Sequence, residues 1–295
     1  GDGEAQLSED GRWALAQGEP KDGRPSVRAY RTADGRLAGE VTFPAGEEVL
    51  AQWATPAGAL VLVTRPEEKA AKDEDEGDSP VRLTLRFYAL DGGAPRGAWT
   101  CPVLWPWGFD PGFPQLRPPK PFFAPDGRTL GIGLGGGDGA VRAWVLDAAT
   151  GALEHEFTAP AGTQVPASRG DARPRGAFGP GGRVAVWAGP DVVTWAAPGA
   201  PPVRLSGHDR GTELAFTADG RRAFTLDEPA EGGPILRVWS LPDGREVMAV
   251  AVKDAKLLDR DRNLSDTNPL WLEGDRLHLL TTTGIRVFDG TPRKE

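Results

Sequence analysis

The 295-residue chain has one cysteine, Cys101, and one methionine, Met248. A single thiol cannot form an intrachain disulfide, so neither the cytosol nor an oxidising compartment is excluded. Histidine is equally scarce. His155, His208 and His278 have no metal-ligand spacing, and no Cys-x-x-Cys or His-x-His pair occurs, which gives no zinc signature and no metal ligands to nominate. No apolar run approaches the roughly 18 residues of a membrane helix, and no basic start precedes an apolar stretch. Membrane insertion and a signal peptide are therefore not expected. The chain opens Gly1-Asp2-Gly3 without an initiator methionine. It reads as processed or cut from a longer protein, with the cytoplasm favoured slightly and export left open. Basic charge is also short: 34 Lys and Arg stand against 42 Asp and Glu, a formal charge of −8. Such a surface does not neutralise phosphate, so nucleic acid is not an expected partner.

What the chain has in quantity is glycine (40), proline (28), tryptophan (10) and phenylalanine (11). The first two disfavour long helices, and the aromatics are too many for a disordered chain. Many short strands joined by tight turns satisfy both. A turn signature, apolar-x-x-[Asp/Gly]-Gly-Arg, recurs at Leu7 to Arg12, Phe123 to Arg128, Phe178 to Arg183 and Phe216 to Arg221, with weaker copies at Thr55 to Gly58 and Leu272 to Arg276. Asp-Gly and Gly-Gly supply the positive φ of a tight hairpin. Each copy precedes a short apolar run suited to a sheet buried on both faces.

A second element follows each of those runs. It reads Val27-Arg-Ala-Tyr30, Leu85-Arg-Phe-Tyr88, Val141-Arg-Ala-Trp144, Val192-Val-Thr-Trp195, Leu236-Arg-Val-Trp239 and Ile285-Arg-Val-Phe288. The alternation predicts strands with arginine outward and the aromatic packed inward. The six aromatics lie 58, 56, 51, 44 and 49 positions apart, near the ~40 to 50 residues of a four-stranded unit. Most are followed by a further turn and strand, as in Leu153 to Phe157 and Glu246 to Val250; the last copy shows no obvious outer strand, so either its unit is short or a strand from outside this sequence completes it. A lone sheet of this size cannot bury both faces, so the units must stack, and radial closure removes most exposed edges.

In this order of elements the sequence resembles WD40 repeats of the bacterial type. The resemblance implies an all-β propeller of six, or seven, four-stranded antiparallel blades in a single domain over residues 1–295. Leu205-Ser-Gly-His-Asp209 resembles the Gly-His element of that family. It implies a structural hydrogen-bond set of His208, Asp227 and Trp239.

Two segments stand apart. Residues 65–80 (RPEEKAAKDEDEGDSP) read as an acidic mobile surface loop. Residues 104–121 form an aromatic and proline-rich insertion carrying Trp105, Trp107, Phe109 and Phe113, which serve either as a plug folded onto the propeller or as partner-binding anchors. Gly131 to Gly139 (GIGLGGGDG) lacks the helix that a phosphate loop needs and is read as a hairpin turn. Asp259 to Asn263 with Asp266 is a solvated loop rather than a calcium site, since Leu264 replaces the glycine such a loop requires. Leu146 to Leu153 resembles the Ala-Thr-Gly turn of quinoprotein propellers, yet it occurs once and without their tryptophan. No cofactor and no catalytic residue is nominated. The expected function is a noncatalytic scaffold or docking module for other proteins, monomeric or part of a larger assembly. A hydrolase- or lactonase-like propeller with a central metal is the alternative, because its ligands would come from distant positions.

Overall fold

The computed structural model describes residues 6–8, 10–21, 24–66, 82–103, 121–135, 140–159, 176–188, 191–208, 211–227, 229, 233–252, 270–273, 276–281 and 284–289. Among these, everything regular is strand except for a three-residue 3-10 turn at Pro180–Gly182. The strands form six antiparallel sheets, each a meander in chain order. The first contains β1 (Gln6–Leu7), β2 (Trp13–Lys21), β3 (Arg24–Arg31) and β4 (Leu37–Thr42), and the second β5 (Glu47–Ala54), β6 (Ala59–Pro66), β7 (Thr84–Ala89) and β8 (Pro95–Thr100). The third holds β9 (Phe122–Phe123), β10 (Thr129–Gly135), β11 (Val141–Asp147) and β12 (Leu153–Ala159), and the fourth β13 (Gly176–Phe178), β14 (Val184–Ala188), β15 (Asp191–Trp195) and β16 (Val203–Leu205). The fifth has β17 (Gly211–Phe216), β18 (Arg222–Asp227), β19 (Ile235–Ser240) and β20 (Arg245–Ala251). The sixth has three strands among the described residues: β21 (Leu270–Glu273), β22 (Arg276–Thr281) and β23 (Gly284–Asp289).

The recurring turn owes its sequence to local geometry. In Asp126-Gly127-Arg128 the Asp126 carboxylate accepts the Arg128 N–H at 2.9 Å, and Asp219 accepts that of Arg221 at 2.9 Å. Gly127 and Gly220 follow at φ 68° and 66°, where a side chain would be strained. The turn then closes through Thr217 N–H to the Arg222 carbonyl at 3.1 Å. The aspartate is thus fully used as a turn cap.

The chain divides into two compact units, 1–132 with 144–156 and 169–173, and 133–143 with 157–168 and 174–295. In the first, the facing sides of the first two sheets build a core from Leu15, Val27, Ala29 and Val41 against Ala54, Leu60, Leu62 and Leu90. Gly39 on β4 is required there: a Cβ at this place would lie 2.4 Å from the Leu90 carbonyl oxygen, so only glycine admits the neighbouring turn. Trp99 on β8 meets Trp144 on β11, ring centroids 5.5 Å apart.

In the second unit the fourth and fifth sheets pack through Ala185, Trp187, Val192 and Leu205 against Leu214, Ala223, Trp239 and Leu241. The fifth and sixth pack through Leu226, Leu236 and Val252 against Leu270, Leu277 and Leu279. One reading is corrected here. Residues 131–135 of the glycine-rich segment lie inside β10 rather than in a turn. The glycines serve close packing, since a Cβ on Gly131 would lie 2.3 Å from the Phe122 ring and one on Gly133 2.6 Å from Val186. Residues 67–81, 104–120, 160–175 and 253–269 lie outside the described residues, and with them most of the acidic segment, the aromatic insertion and the Asp259 to Asp266 loop. Arg65 and Pro66 of the acidic segment belong to β6, where Arg65 pairs with Glu48 at 2.6 Å.

Candidate partner-binding site

The third strand of every sheet carries the same pattern, so six copies of each position can be compared. Arg28, Arg86 and Arg237 are half-buried and paired, not simply outward. Arg28 meets Glu40 on β4 at 3.2 Å, and Arg86 meets Glu47 on β5 through two of its nitrogens. That pairing holds the Glu47 carboxyl below its usual range, against the opposing effect of burial. Arg237 donates to Asp227 on β18 at 3.1 Å and to Glu246 on β20 at 2.6 Å. Burial opposes its charge, but those two hydrogen bonds outweigh burial and raise its pKa. The Arg28 and Arg237 guanidiniums span to neighbouring strands and that of Arg86 reaches the next strand but one, β5, each giving a carboxylate a charged partner beside a buried strand.

Of the residues proposed as a hydrogen-bond set, His208 and Trp239 meet through a residue that the sequence reading missed. Thr225 on β18 accepts the Trp239 Nε1–H at 2.7 Å, and its hydroxyl lies 2.8 Å from His208 Nε2. One hydroxyl has a proton and two lone pairs, enough for both partners. His208 lies in the connection from β16 to β17, wedged between the Trp187 ring (centroids 4.9 Å apart) and the Trp239 ring (5.1 Å). Asp227 is completely buried and holds Arg237. Because Ala223 is the residue opposite Trp239, Thr225 could have been found two places along from it. The corresponding residues elsewhere are Ala16, Leu62, Ile132, Val186 and Leu279. They are all apolar. Trp144 and Trp195 consequently bury Nε1 atoms that have no hydrogen-bond partner among the described residues.

His155 stands exposed on β12. His278 on β22 is half-buried and stacked on Trp271 at 5.0 Å; Glu273 is 3.4 Å away. Trp105, Trp107, Phe109 and Phe113 lie outside the described residues. Near the turn of the fifth sheet a cleft of about 350 Å³ is lined by Asp219, Arg221, Arg222, Ser240 and Pro242. Among the described residues no group of three or more His, Cys, Asp or Glu is arranged to hold a metal ion, and no helix is long and apolar enough to cross a membrane.

The sixth sheet departs from the others at its outer edge. Ile285 and Val287 on β23 are 57% and 52% exposed. Their counterparts are buried: Val27, Leu85, Val141, Val192 and Leu236 are at most 2% exposed, and Ala29, Phe87, Ala143, Thr194 and Val238 at most 6%. In the fifth sheet, Val252 N–H bonds to the Pro234 carbonyl. Since antiparallel ladders alternate, Leu236 and Val238 turn their N–H and C=O groups toward β20. By the same register Ile285 and Val287 turn theirs outward, where no fourth strand is present among the described residues.

No family model matches the chain, and no curated protein matches it. Solved structures do. One is a chain of the mitotic checkpoint complex, at TM-score 0.51 and 12% identity over 97% of this chain and 73% of that one. Another is oligogalacturonate lyase in complex with manganese, at TM-score 0.51 and 15% identity over 96% of this chain and 74% of that one. These neighbours are propeller-type folds. The fold is a β-propeller, with six blades among the described residues. Its six sheets are the blades, and the neighbours include both a component of a protein complex and an enzyme, so the fold by itself assigns neither role.

Proposed function

We propose that the chain is a noncatalytic protein-interaction module of WD40 type, and that the sixth blade is its docking site. The observation behind this is the pair Ile285 and Val287, half-exposed where five equivalent pairs are buried. An edge strand with unpaired backbone groups and exposed apolar side chains is a template for another chain, and proteins normally cover or blunt such an edge. The polar groups of the neighbouring fifth blade are, by contrast, committed to one another: Thr225 to Trp239 and His208, Asp227 and Glu246 to Arg237. The aromatic residues Trp105, Trp107, Phe109 and Phe113 are proposed as a second contact on sequence grounds alone.

The test is affinity capture from native extract with three forms of the protein. These are the intact chain, Ile285→Asp with Val287→Asp, and a form with the four aromatics changed to alanine. A partner retained by the intact chain and lost with the Asp pair supports the reading. Loss with the alanine form adds the insertion to the interface. No specific partner for any form, together with a stoichiometric divalent metal in the purified protein, would replace it with the enzyme reading, in which carboxylates from several blades hold a central metal.

A further inference from the structure

We infer that the β23 edge accepts an extended segment of another polypeptide as a fourth antiparallel strand, and that this segment carries a small or apolar residue, then an acidic one, then a branched or aromatic apolar one. The inference rests on the interaction reading above and gives that partner a chemistry. It comes from what the chain's own fourth strands place against the same positions.

Opposite Val27, Leu85, Val192 and Leu236 stand Val41, Trp99, Leu205 and Val250. All four are apolar, so the place facing Ile285 calls for an apolar residue. Facing Arg28 is Glu40, an ion pair at 3.2 Å, whereas Arg86 and Arg237 face Ala98 and Ala249 and take their carboxylates from other places, Glu47, Asp227 and Glu246. Arg286 holds the corresponding place in β23, is half-buried, and has no carboxylate partner among the described residues. Leaving a half-buried guanidinium unpaired costs more than pairing it, so an acidic residue is favoured there. Facing Ala29 and Phe87 are Gly39 and Gly97, while Thr194 and Val238 face Val203 and Met248, so the place facing Val287 takes a small or an apolar residue. The segment 37–43, Leu-Ala-Gly-Glu-Val-Thr-Phe, is therefore a ready probe: its valine faces Ile285, its glutamate Arg286 and its glycine Val287.

The experiment titrates a synthetic peptide of that sequence, up to millimolar, into the full chain and follows amide hydrogen exchange over residues 284–289. The peptide should slow exchange there. Methylation of the peptide nitrogen at valine, whose N–H points at β23, should abolish the effect, while methylation at threonine, whose N–H points away, should leave it. Changing the peptide glutamate to lysine should weaken binding by about tenfold. No slowing at millimolar peptide, or slowing that ignores which nitrogen is methylated, overturns the inference. So does concentration-dependent protection of β23 in the chain alone, which would make the occupant a second copy. If the native partner is still lost with the Asp pair while the peptide fails in either way, the docking site stands and the strand chemistry does not. If neither binds, both fall.

Discussion

The fifth and sixth blades share a plan and differ in completion. In the fifth, β19 lies between β18 and β20, Leu236 and Val238 are buried, and Arg237 holds carboxylates on both neighbouring strands. In the sixth, β23 has one neighbour among the described residues, and the corresponding Ile285 and Val287 are exposed. Similar side chains thus contribute to stability in one blade and are left for contact in the other. The lesson is that an apolar residue in a repeat cannot be read as core until its neighbouring strand is accounted for.

Substitutions can break this contrast. The largest effect is expected from Leu236→Gln, which empties a packed site and buries an amide; it should cost about 3–5 kcal/mol in chemical denaturation. Next comes Thr225→Val. It keeps the shape but strips the hydroxyl from Trp239 and His208, and should cost about 1–3 kcal/mol. Val186→Thr is its mirror image in the fourth blade, where the added hydroxyl gives the buried Trp195 Nε1–H an acceptor. It should be neutral or stabilising by up to about 1 kcal/mol, whereas a burial-only view of Val→Thr expects a loss. The smallest change is Ile285→Gln, which should move stability by no more than about 0.5 kcal/mol. A cost near that of Leu236→Gln would mean that β23 is covered like β19.

Much of the fold was legible because each blade repeats two local devices. The Asp-Gly-Arg turn depends only on residues that touch it, such as Asp219 and Gly220, and the third-strand aromatic recurs at a readable interval. The pairing partners were not legible. That Arg86 reaches Glu47, or that Arg237 bridges Asp227 and Glu246, follows from strand register, which composition and spacing do not reveal. Thr225 was overlooked for a related reason, since one threonine in an apolar strand acquires its role from Trp239 opposite and His208 in a distant connection. The glycines of β10 misled because local turn chemistry and close packing of a neighbouring Phe122 or Val186 select the same residue. No outer strand is legible between Phe288 and Glu295, but only the exposure of Ile285 and Val287 gave that a consequence.

The docking site requires an open β23 edge. Residue-resolved amide hydrogen exchange on the chain alone tests it most directly, comparing Ile285 and Val287 with Leu236 and Val238. The account predicts that the first pair exchanges like surface amides while the second is protected to the level of the blade core. Equal protection of all four would show that β23 already has its fourth strand, and would contradict both the docking site and the strand that was inferred to fill it.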